Sequence, residues 1–312
     1  MEVIEYSPDL KSDWDSLVEE STNGTFMFKR DYMEYHSDRF NDHSLLIHYK
    51  GSPIAVFPAN QETNTLVSHA GLTFGGLIGS EKLTTNKTMD AFQALEEYLI
   101  NTNINKIQYK AIPTIYHDIP SEGDRYALFR KNAELYRRDV SSAIDLERGP
   151  SYKDSRSRSI DSAVDAGVKV KETTDYKSYW NILIDNLQER HDTEPVHSLE
   201  EIRLLHNRFP DNIRLFGAFL NGDIVSGVVV YESDVTARTQ YIAGTDQGRD
   251  VRATDYLFDQ LINEHLNHKR YIDFGISTEQ AGSELNEGLI YYKESFGARP
   301  VVHDFFEWSL EN

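Results

Sequence analysis

Two segments of the chain, residues 44–110 and 213–274, repeat one order of elements, and an order used twice constrains the fold more than any single motif does. In the first, Ser44-Leu-Leu-Ile-His-Tyr49 and Pro53-Ile-Ala-Val-Phe57 flank Lys50-Gly51, the pattern of a hairpin with a tight glycine turn. A strand-like Leu66-Val-Ser-His69 follows, then a glycine-rich loop from Gly71 to Gly79, an amphipathic helix near residues 88–101 and a closing strand Lys106-Ile-Gln-Tyr-Lys110. The second segment has Ile213-Arg-Leu-Phe-Gly-Ala-Phe-Leu220, a turn at Asn221-Gly222 and a return as Ile224-Val-Ser-Gly-Val-Val-Val-Tyr231. Arg238-Thr-Gln-Tyr-Ile-Ala243, a loop through Gly244 and Gly248, a helix near residues 254–267 and a strand Arg270-Tyr-Ile-Asp-Phe274 complete it. Strands mixed with helices in this way predict an α/β (α+β) chain of two tandem domains, each a twisted mixed sheet flanked by helices.

The length of 312 residues accommodates two such domains. Gly149-Pro-Ser-Tyr-Lys-Asp-Ser-Arg-Ser-Arg-Ser159 is a polar stretch led by Gly-Pro and reads as the linker, which sets the domains at 1–148 and 149–312. Helices are expected near residues 160–166, 176–190 and 199–208, the last capped by Ser198 with Glu201 three residues on.

Composition removes several classes of function. No cysteine is present, so disulfides, thiolate nucleophiles and cysteine-ligated zinc are excluded. Acidic residues outnumber basic ones 51 to 32, and the net charge of −19 argues against nucleic acid as a general partner, although a local basic pocket could hold a phosphorylated small molecule. No stretch approaches the roughly 20 apolar residues of a membrane span. The first residues lack the basic and apolar segments of a secretory signal, so a cytoplasmic location is expected.

The repeated order resembles the skeleton of GNAT acetyltransferases, in which the loop between the third strand and the helix holds the pyrophosphate of coenzyme A. A helix N-terminus suits that task because its free N–H groups and dipole attract phosphate. The second loop reads Gln247-Gly-Arg-Asp-Val-Arg-Ala253 and keeps only the terminal Ala of that family's Gln/Arg-x-x-Gly-x-Gly/Ala pattern; Arg249 and Arg252 are its candidate donor-binding residues. Further motifs resemble the Fem-type transferases: Ser155-Arg156-Ser-Arg158-Ser-Ile160 leading into Ala166-Gly167-Val168, the strand Tyr271-Ile-Asp273-Phe274-Gly275, and Gly288-Leu289-Ile-Tyr-Tyr292-Lys293-Glu-Ser-Phe296-Gly297. That resemblance spans nearly the whole chain and implies transfer of an acyl or aminoacyl group. The family's inserted coiled-coil arm is absent, and the helix after the arginines carries Asp161 and Asp165. The expected activity is therefore N-acyl transfer from acetyl-CoA or another acyl-CoA to the amine of a small acceptor, an amino sugar or nucleotide sugar of cell-envelope polysaccharide synthesis. Two alternatives stand beside it: a Fem-like ligase that takes its aminoacyl group from tRNA and acts on a peptidoglycan precursor, and a non-catalytic binding protein that keeps the tandem fold.

Acyl transfer to an amine requires the amine to lose a proton, the oxyanion to be stabilised and the leaving group to be protonated. By resemblance, Lys293 is linked to substrate phosphate or developing negative charge, the alternative being a surface lysine. Tyr292 could donate a proton to a leaving thiolate or simply pack. Asp273, on a predicted central strand, is either a general base or a partner for an arginine. Arg190-His191-Asp192-Thr-Glu194-Pro-Val-His197 offers a base at His197; its histidines lack the helical spacing of a zinc site, so no metal is expected. Arg156 and Arg158 could fork onto a phosphate or carboxylate. Asn286 could bind acceptor hydroxyls or cap a helix. Gly75 and Gly76 could admit a ligand to the first repeat's backbone or form a turn, with Lys110 facing the same cleft or solvent.

Overall fold

The computed structural model describes residues 1–310, without the side chains of Arg190 and His191. The chain divides into two compact units, Met1–Val140 with Thr278–Glu284 and Val302–Asn312, and Ser141–Ser277 with Leu285–Val301. This differs from a single cut at residue 148: the chain leaves the first unit inside a strand and returns to it twice, at Thr278 and at Val302.

The first unit opens with β1 (Glu2–Glu5), α1 (Lys11–Glu19) and the single turn α2 (Arg30–Met33). The expected hairpin follows as β2 (Leu45–Tyr49) and β3 (Ser52–Phe57), its turn made by Lys50 and Gly51, both at positive φ. Next come β4 (Asn60–Glu62), β5 (Thr65–Val67), β6 (Ile78–Gly79), α3 (Thr85–Ile100), β7 (Lys106–Lys110) and α4 (Gly123–Arg130). Ala91, Leu95 and Leu99, one turn apart on α3, are buried with Phe92 against Tyr109 and Trp308, which explains why that helix forms. Strand pairing departs from the repeat plan, because β1-β2-β3-β6 form one sheet while β4, β5 and β7 join a different one. β6, drawn from the glycine-rich loop, occupies the edge of β3 that a third strand would need.

β8 (Glu134–Asp145) carries the chain into the second unit. There follow α5 (Asp154–Asp165), β9 (Lys169–Thr173), α6 (Tyr176–His191), α7 (Leu199–Arg208), β10 (Ile213–Leu220), β11 (Asp223–Glu232) and β12 (Thr236–Gly244). After β12 come α8 (Asp246–Asp250), α9 (Ala253–Gln260), β13 (Tyr271–Ile276), the short β14 (Thr278–Glu279) and β15 (Glu284–Leu285), α10 (Glu287–Glu294) and β16 (Arg299–Ser309). Ser198 and Glu201 make the expected reciprocal capping box on α7. Within this unit the strands run β8-β13-β12-β11-β10-β9. β10, β11 and β12 are antiparallel, whereas β12 and β13 are parallel and pair only over Thr236↔Tyr271, Ala237↔Ile272 and Arg238↔Asp273. Beyond that point they part. One sheet face buries Phe216, Val228 and Ile272 against Leu257 and Phe258 of α9 and Phe296.

Candidate functional site

Where two parallel strands stop pairing, their free edges leave a gap that helices can wall but cannot fill with backbone hydrogen bonds. In the second unit a cleft of about 830 Å³ occupies this place. Thr239 to Gly244 of β12 and Phe274 to Ile276 of β13 line it, with Leu183 and Leu187 of α6, Arg156 of α5, and Leu289, Tyr292 and Lys293 of α10. Arg249 of α8 and Arg252, which precedes α9, complete its basic lining.

At the vertex, Arg238 and Asp273 face each other across the last paired position and form an ion pair at 3.0 Å. Asp273 is fully buried and also accepts from Ser141 Oγ at 2.5 Å and from the Gly275 amide at 2.9 Å. These bonds make it a structural partner of the arginine, and Asp273 itself is not among the residues that line the cleft. Gly275 sits at φ +77°, a conformation natural to glycine, where the β13 register against β8 shifts. That backbone turn presents its carbonyl to Lys293.

Lys293 is 3% exposed and lies in the cleft wall rather than on the surface. Its Nζ donates to Gly275 O at 2.8 Å, Ile276 O at 2.8 Å and Ser277 Oγ at 2.9 Å. All three acceptors are neutral. Burial lowers its pKa to about 8, with the charge of Asp273 opposing that shift and the charge of Arg238 assisting it. Tyr292, its neighbour, donates to Asp255 Oδ1 at 2.9 Å, and burial and that carboxylate hold its pKa well above the usual phenol range. Arg156 forms an ion pair with the same Asp255, and its guanidinium lies 4.4 Å from the Tyr292 ring and 4.5 Å from that of Phe296. Arg156 thus fastens α5 to α9 and α10.

The segment read as a pyrophosphate loop folds partly into α8, and Thr245 caps it by accepting the Gly248 amide at 3.0 Å. Gly248 is required there, since a Cβ would stand 2.2 Å from Val225 O. Arg249 donates to Gly244 O and pairs with Asp246, while Arg252 is exposed at φ +59° as the N-cap of α9.

His197 is buried in the loop before α7, and its Nδ1 lies 2.5 Å from the hydroxyl of Tyr241, a cleft residue on β12. Burial raises the pKa of Tyr241 to about 12. The side chain of His191, its partner in the sequence motif, lies outside the described residues. Arg158 is exposed and outside the cleft lining, and Asn286 caps α10 by accepting the Leu289 amide at 2.9 Å.

The remaining candidates belong to the first unit. Gly75 bonds through its amide to Lys110 O at 2.8 Å, and Gly76, at φ +102°, has Tyr109 where a Cβ would be, at 2.5 Å. Both serve close packing of the loop on β7. Lys110 is buried, not solvent-exposed; its Nζ donates to Leu72 O and Ala70 O, and burial lowers its pKa to about 8.

Sequence reasoning missed Tyr241, Arg238 and Asp255. Arg238 and Asp273 carried a usable signal, opposite charges at interior positions of two strands that the repeat plan makes neighbours. Tyr241 carried none, because a bulge sets its direction.

No protein-family model and no curated protein matches the sequence. Solved structures do match over the full length. FemX aligns with TM-score 0.68 at 10% identity, covering 99% of this chain and 98% of its own. L-PGS from Bacillus licheniformis aligns with TM-score 0.61 at 10% identity, covering 99% and 93%. A tandem GNAT protein from the clavulanic acid biosynthesis pathway aligns with TM-score 0.53 at 12% identity, covering 100% and 99%. With the parted parallel strands of the second unit, these likenesses show that the chain has a two-domain GNAT-like fold of the Fem type.

Proposed function

We propose that the second unit is an N-acyltransferase that takes an acyl group from a phosphate-bearing carrier, acyl-CoA in the first instance, and passes it to the amine of a small acceptor. The observation that carries this reading is Lys293: an ammonium in the cleft wall whose contacts are all neutral oxygens. Arg156, Arg238 and Arg249 each face a carboxylate, whereas Lys293 below pH 8 adds a positive charge to a low-dielectric wall. Such a charge favours an oxyanion as it develops, or a phosphate of the donor. Arg252, at the cleft mouth beside the start of α9, adds a second positive charge for the carrier. Leu183, Leu187, Ile242 and Leu289 supply apolar wall for the rest of the ligand. An amino sugar, free or nucleotide-linked, is the acceptor class to screen first.

Thermal unfolding with and without acetyl-CoA tests the donor. A carrier present at one hundred times its dissociation constant stabilises by about 2.7 kcal/mol. An upward shift, lost in Arg252→Glu, is the expected result. No shift at millimolar acetyl-CoA, together with aminoacyl transfer from charged tRNA, would replace this donor by the one the Fem-type likeness supports. No response to either would favour a binding protein without catalysis.

A further inference from the structure

We infer that Tyr241, backed by His197, is the group through which the attacking amine loses its proton; this rests on the acyltransfer reading of the cleft. β12 reaches the cleft through an irregularity: Val229 pairs with Tyr241 and Val230 with Thr239, so Gln240 is an additional residue on that strand. A bulge of this kind bends the strand and re-aims the side chains beside it. Tyr241 then lies in the cleft lining with its ring edge-on to Trp180 at 5.2 Å, and its hydroxyl meets Nδ1 of His197 at 2.5 Å.

His197 is held on several sides. Trp180 Nε1 donates to its carbonyl at 3.2 Å, its own amide donates to the Tyr241 oxygen at 3.3 Å, and the next residue is the capping Ser198 of α7. The step uses the tautomer in which the phenol proton points to Nδ1 and the imidazole carries its own proton on Nε2. His197 is 4% exposed and is not among the residues that line the cleft, whereas Tyr241 is.

The other cleft groups are poorly placed to accept a proton. Arginines hold theirs at any ordinary pH, Lys293 is protonated below pH 8, and Asp255 is neutralised by Arg156 and occupied by Tyr292. In the step that follows from this arrangement, the amine nitrogen attacks the acyl carbon and a C–N bond forms. The amine proton passes to the Tyr241 oxygen while the phenol proton passes to His197 Nδ1. As the bond from the acyl carbon to the carrier sulfur or oxygen breaks, the imidazolium returns its proton through Tyr241 to that leaving atom. The products are amide and protonated carrier, and no other reactant is consumed.

The test compares wild type, Tyr241→Phe and His197→Gln in steady-state transfer from the donor that supports wild-type turnover, with donor-induced thermal shift measured alongside. Expected is a loss of about 100-fold or more in kcat for Tyr241→Phe and a comparable loss for His197→Gln, with KM within about threefold and the donor shift retained. Nitrogen NMR of the imidazole should show the proton on Nε2 in wild type. Turnover of Tyr241→Phe within threefold of wild type would overturn the inference, as would loss of the donor shift together with turnover, which would make Tyr241 a wall of the binding site. If wild type transfers nothing from any donor, the acyltransfer reading fails and the inference with it; if wild type turns over and the variants match it, the inference alone fails.

Discussion

Lys293 combines burial, charge and neutral partners, and its protonation leaves a mark on stability that needs no substrate. Its folded pKa of about 8 lies below the ordinary lysine value of 10.5. Below pH 8 both folded and unfolded states carry the proton, and the folded state bears the full cost of the buried charge. Between pH 8 and 10.5 the unfolded chain keeps the proton that the folded one has lost, so this group makes stability rise with pH across that window. Lys110, also lowered to about 8, contributes with the same sign. Urea unfolding at pH 7.5 and 9.5 should show a smaller rise in Lys293→Met than in wild type. That variant also leaves Gly275 O, Ile276 O and Ser277 Oγ short of a donor, for a cost of about 1–3 kcal/mol at pH 7.5. The Fem-type motif pointed to Lys293, but the sequence did not show that its partners are backbone carbonyls at a glycine turn in β13.

At the scale of elements, periodicity located the pieces well where one face is buried. β10 and α7 match their expected bounds residue for residue, because an apolar run closed by the Asn221-Gly222 turn in one case and a capping box in the other are local signals. Short edge strands such as β9, with exposed and half-buried residues throughout, have no such signal and were not foreseen. The sequence of α8 reads as loop because five residues cannot show a helical period. Its seat on β11 depends on Gly248, where an added Cβ meets a backbone carbonyl rather than a movable side chain. Gly248→Ala should therefore destabilise by about 1–3 kcal/mol and weaken donor binding by displacing Arg249 and Arg252. Denaturant unfolding and donor titration on one preparation check both effects.

For the molecule as a whole, the cleft and the surface carry opposite biases. A chain of net charge −19 repels anions at long range, while the cleft lining includes Arg252 and Lys293, which the proposed donor would meet at short range. Because the Debye length falls from about 14 Å at 0.05 M to about 4 Å at 0.5 M salt, exposed contacts such as that of Arg252 weaken more than the buried charge of Lys293. Donor affinity should fall several-fold over this range in wild type and much less in Arg252→Glu, which is already weakened; isothermal titration at the two salt concentrations reads the difference.

The order of strands and helices, the hairpin turns and the helix caps follow from the sequence alone, since each depends on residues within a few positions of one another. So does the absence of thiol chemistry. The tertiary structure decided where the chain passes between its units, because that depends on strands more than 130 residues apart packing together, as Ser141 does with Asp273. It also decided which charges are spent on each other and which face the cleft. Arg156 and Asp255, Arg238 and Asp273, and His197 and Tyr241 are distant in sequence, yet each pair is in contact and has at least one member in the lining of one cleft.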